Sequence, residues 1–131
     1  MGCFKSDVMS LQNTDLEALL TNTPILISGI SHKLVSVETE IEAKEKAIKR
    51  IELKHLKDIS AETGEDGKKK YSNEQIRAAV LEERIVEDKE YQTLLAHIIN
   101  LKAKKEEAKI DLQEQQNLFS AFKVVGSMRC H

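Results

Sequence analysis

The chain reads as an all-α protein: two long helices paired as an antiparallel coiled-coil hairpin, with a short N-terminal helix, a short helix after a central loop, and association into an oligomer. Three observations predict this. Apolar residues recur at alternating spacings of three and four along two stretches of similar length. Aromatics make up only 4% of the chain, with no Trp and a single Pro, which suits long amphipathic helices better than a sandwich or barrel. A polar stretch carrying two glycines separates the two periodic segments.

The elements follow in order. Thr14-Asp15-Leu16-Glu17 is a capping-box pattern that opens a short helix to about Leu20, within an N-terminal segment 1–22. Thr23-Pro24 then places a hydroxyl before a proline, the arrangement of a helix start, so the first long helix is expected over 23–60. Its seam is Ile30, Leu34, Val37, Ile41, Lys44, Ile48, Ile51 and His55. Residues 61–71, from Ala61 through Gly64, Gly67 and Lys68-Lys69-Lys70, read as a flexible Lys-rich loop. Helix restarts at a second capping box, Ser72-Asn73-Glu74-Gln75, and residues 72–126 hold a short helix and the second long one.

The second seam runs Tyr91, Leu94, Ile98, Leu101, Lys105, Ala108, Leu112, Gln115, Phe119 and Phe122. Gly126 supplies a C-terminal stop, leaving 127–131 as a tail. Folding the two seams together sets Ile59 near Tyr91 and Lys44 near Lys105. Two helices alone leave Ile27, Leu53, Leu56, Leu95, Ile99 and Leu118 largely uncovered. A chain of 131 residues with that much apolar flank is expected to self-associate.

Composition excludes several functions. Twenty Lys and Arg against 22 Asp and Glu give a net charge of -2, so no global field draws nucleic acid or acidic membranes. Cys3 and Cys130 sit near opposite ends with no second pair, which implies no disulfide framework and fits a reducing cytosol. No apolar run approaches the ~18 residues that span a bilayer. Met1-Gly2-Cys3-Phe4-Lys5-Ser6 fits the N-myristoylation pattern, with Cys3 placed for a palmitoyl group. Chance occurrence of so short a pattern and initiation at Met9 are the alternatives.

No catalytic constellation emerges, and a non-enzymatic role is expected. His32, His55, His97 and His131 form no metal-binding spacing, and although His55 and His97 could meet across the hairpin, two imidazoles make a poor zinc site. Gly64-Glu65-Asp66-Gly67 carries acids where a phosphate loop needs none, and no G-x-S-x-G elbow occurs. Glu82, Glu83, Glu87 and Asp88 alternate with cations at the spacing of surface ion pairs. Neither a metal nor any other cofactor is implied.

What remains is basic clustering. Lys46, Lys49, Arg50 and Lys54 on the first arm, with Lys102 and Lys109 on the second, are cations at helical spacing off the apolar seam, suited to phosphate contacts along single-stranded nucleic acid. Lys68, Lys69 and Lys70 add to them. The competing interpretation is an ordinary solvated face, since Glu42, Glu45, Glu52, Glu106 and Glu107 intersperse these lysines.

The layout of an N-terminal helix, a Lys-rich loop, Tyr71-Ser72-Asn73-Glu74-Gln75-Ile76-Arg77-Ala78-Ala79-Val80, an acidic step at Glu87-Asp88 and a long closing helix resembles small phage recombination mediators of the UvsY type and related coiled-coil proteins of phage replication modules. The resemblance spans about Leu34 to Arg129. It implies an oligomer in the host cytosol that binds single-stranded DNA, remodels the single-strand binding protein and helps load a recombinase. The end of the chain, Phe122 to Arg129, holds fewer cations than that role favours. A helical factor that engages or inhibits a host protein complex is the alternative.

Overall fold

A computed structural model describes residues 12–129, whose three long elements are all helices. The acylation pattern at Gly2 and Cys3, the alternative start at Met9, and Cys130 and His131 lie outside them. Three helices are present: α1 (Asn13–Ala61), α2 (Glu74–Glu87) and α3 (Lys89–Arg129). No helix among the described residues is long and apolar enough to cross a membrane. The chain divides into two compact units. One holds the described residues up to Glu38 with those from Lys104 onward, and the other is Thr39–Ala103.

In the first unit the expected break before Pro24 does not occur: α1 runs unbroken from Asn13, so the short N-terminal helix and the first long helix are one element. A proline inside a helix removes an amide donor and costs about 3 kcal/mol. Packing of the turns that precede it outweighs that cost here. Leu16 is buried against Phe122 and Val125, with Leu19 and Leu20 beside them, and Thr23 is buried in turn. Thr14 lies inside the helix and not at its cap. Gly126 likewise does not stop α3, which continues to Arg129 and leaves no separate tail from 127. Glycine weakens a helix by about 1 kcal/mol, but Leu20 lies 3.5 Å from where a Cβ at Gly126 would stand, so the residue is part of a packed contact. Arg129 donates to Asn13 Oδ1 at 2.9 Å, and the Lys105 ammonium lies 3.5 Å from Glu38.

In the second unit the Lys-rich segment between α1 and α2 is closed by backbone hydrogen bonds. Lys70 N–H donates to Glu62 O, Gly64 N–H to Lys68 O and Gly67 N–H to Gly64 O, closing a bridge between Thr63 and Lys69. Gly67 has φ of 77°, a left-handed conformation open to glycine at little cost. The cap of α2 is Asn73 and not Ser72: its side chain accepts from Gln75 N–H at 2.7 Å. Arg77 fastens the turn to α2 by donating to the carbonyls of Tyr71 and Ser72.

Every seam position of both long helices is buried or half-buried, Lys44, His55, Lys105 and Gln115 included. The partners within the second unit differ from the expected register. Tyr91 reaches Glu52, one heptad before Ile59, and His55 reaches Asp88. A seven-residue slip keeps every apolar position on the seam, so hydrophobic periodicity cannot distinguish the two registers; the polar partners can. Of the flank residues, Leu53, Leu95, Ile99 and Leu118 are exposed, whereas Ile27 and Leu56 are half-buried.

Candidate functional site

The second unit is organised around Asp88. Its N–H donates to Ile85 O and ends α2, while its Oδ1 accepts from Tyr91 N–H at 3.0 Å and caps α3, so the two helices meet with no intervening loop. Its Oδ2 accepts from His55 Nε2 at 2.7 Å, which fastens this joint to α1. Beside it the Tyr91 hydroxyl donates to Glu52 at 3.0 Å, and Arg84 donates to Glu62 at 2.6 Å. The Tyr91 amide, followed by His55, holds the Asp88 carboxyl below the usual aspartate range. Burial, then Glu52, pushes the Tyr91 phenol up, and the bond to Glu62 raises the Arg84 guanidinium. These contacts tie the α2–α3 joint to α1 and to the turn that follows it.

A lowered carboxyl stabilises the fold above the ordinary aspartate value, and that contribution is lost as pH falls through the lowered value. Asp88→Asn keeps a good helix cap but loses the charge that His55 faces. Its stability at neutral pH should therefore fall below wild type and change less on acidification. Urea melts across the acid range would show this; parallel wild-type and variant curves would refute the role given to Asp88.

The six cations expected to bind nucleic acid are all exposed. Lys46, Lys49, Arg50 and Lys54 share the back of α1. At about 100° per residue, Lys46, Arg50, Leu53 and Lys57 fall within about 60° of one another and point away from the seam of Ile48, Ile51 and His55, with Lys49 and Lys54 on either flank. Lys102 is on α3, one position past the buried Leu101 and so on the flank of its seam. Lys109 belongs to the first unit, where its ammonium is 3.5 Å from Glu106. Lys46 is 3.5 Å from Glu42; Lys49, Arg50, Lys54 and Lys102 have no carboxylate partner among the described residues.

No family model, curated protein or solved structure matches this chain. The two central histidines do not meet: His55 bonds to Asp88, and His97 is exposed. Among the described residues no group of His, Cys, Asp and Glu is arranged to hold a metal. The acids of α2 do not form the surface pairs expected of them. Glu82, Glu83 and Glu87 have no cationic partner among the described residues, and Arg84 turns to Glu62 instead. The sequence marks Asp88 only as part of an acidic step; its capping role is hard to find there because a cap between two helices lacks the loop that normally announces it. Its signal is the acidic Glu90 in the first turn of α3.

Proposed function

We propose that this chain is a non-enzymatic, self-associating helical protein that binds single-stranded nucleic acid through the back of α1, as an accessory factor of phage recombination or replication. The observation that carries the reading is the cluster Lys46, Lys49, Arg50, Lys54 and Lys57, packed into about three helical turns and mostly without internal ion pairs. The antiparallel coiled-coil hairpin is supported within each unit by pairs joining α1 to α3, Glu52 with Tyr91 in one and Glu38 with Lys105 in the other. With aromatics at 4% there is little to stack on bases, so affinity would come from phosphates and be indifferent to sequence. A recombinase or a single-strand binding protein would be the protein partners.

Reversing both charges, Lys49→Glu with Arg50→Glu, should weaken binding equally on two unrelated oligonucleotides. It should flatten the salt dependence by about 0.7–1 unit of slope for each phosphate no longer neutralised. Folding should persist, because exposed substitutions usually change stability by less than about 0.5 kcal/mol. Fluorescence polarisation over a salt series measures this. Equal affinity and equal slope for both proteins would remove nucleic acid as the ligand.

A second reading, a factor that engages or inhibits a host protein complex, is favoured by α2. That helix has no buried residue and exposes Ile76 and Val86, a face open to an apolar helix-in-groove contact. Binding of that kind would change little with salt.

A further inference from the structure

The α2–α3 joint leaves an open groove of about 920 Å³ in the second unit. It is lined by the apolar Ala79, Ile85, Val86 and Leu95, by Tyr91 and Gln92, and by the carboxylates Glu82, Glu83 and Glu87. Val86 is 71% exposed and Leu95 36%, so part of the lining is apolar surface left in water. The three carboxylates have no cationic partner among the described residues. Such a groove repels a copy of itself, and it repels a polyanion, because like charges would meet face to face. Its occupant must bring cations arrayed around an apolar side chain at helical spacing.

The back of α1 has that composition. Leu53 is 65% exposed there, with Lys49 and Arg50 one turn before it and Lys54 and Lys57 after it. We infer that the groove receives the α1 back of a second copy of this chain, with Leu53 set against Val86 and Leu95 and the surrounding cations against Glu82, Glu83 and Glu87. Donor face and acceptor groove are different patches, so two such contacts close a two-fold dimer or a single one repeats along a chain of copies. Assembly of this kind goes beyond nucleic-acid binding and does not depend on it. Where both hold, a second copy and a nucleic acid compete for one basic face, and assembly regulates binding.

Charge exchange tests it by sedimentation over a concentration series. The wild type should associate, and the pairs Glu83→Lys with Glu87→Lys and Lys49→Glu with Arg50→Glu should each associate at least about tenfold more weakly. Mixing the two variants should restore association, because each reversed groove or face then meets one of opposite sign. Leu53→Asp, an exposed change that leaves the seam intact, should weaken association as well. A wild type that stays monomeric assigns the groove to some other cationic helix or to nothing, and overturns the inference. So does a groove variant that associates like wild type, or a mixture no better than its components. The groove variant keeps the α1 face whole, so its oligonucleotide binding is read separately and failure of one reading is not mistaken for failure of the other.

Discussion

Ile98→Asp should lower the unfolding free energy by about 3 kcal/mol or more at neutral pH. Ile98 is only 4% exposed and sits on the α3 seam of the second unit, between the half-buried Leu94 and the buried Leu101. An unpaired carboxylate there must either stay ionised without water or take up a proton. The second course raises its pKa, so the loss should be greatest at neutral pH and partly recovered in acid. Ile98→Ala, at about 2–5 kcal/mol, isolates the cavity contribution, which does not vary with pH. Urea unfolding followed by circular dichroism at two pH values separates the two effects. An unchanged midpoint for the Asp variant would mean that Ile98 does not face the seam.

Phe122→Ala should cost about 3–5 kcal/mol, the range for emptying a buried phenyl site. Phe122 is 7% exposed and packs with Leu16 and with Val125, which is fully buried. That cluster holds the α1 turns around Pro24 in helix, so its removal should act locally before it acts globally. Amide exchange in residues 13–25 should accelerate strongly, while amides around Ile59 and Ile98 in the second unit change less. Uniform acceleration along the chain would mean that the two units unfold as one.

The residues behind these expectations differ in how legible they are in the sequence. The seams could be read directly, because burial along a helix repeats every three or four residues and leaves its mark on residue type: all eighteen expected positions, from Ile30 to Phe122, are buried or half-buried. The exposed cations could be read for the same reason, since a charge kept off the seam stays in water.

Local signals misled where packing outweighed them. Thr23-Pro24 carries the signature of a helix start and Gly126 that of a stop, yet the contacts of Leu16, Leu20, Phe122 and Val125 carry helix through both. The first unit thus extends to residues that local propensity assigns to a boundary and a tail.

Sequence by itself determined the helical class, the two seams and the charged back of α1, because each depends on periodicity within one helix. Tertiary structure alone decided the register and the groove. Registers one heptad apart bury the same apolar set, so the choice rests with Tyr91 on Glu52 and His55 on Asp88. The groove exists because Asp88 ends one helix, caps the next and bonds to a third. That convergence depends on three segments distant in sequence, and no local periodicity encodes it.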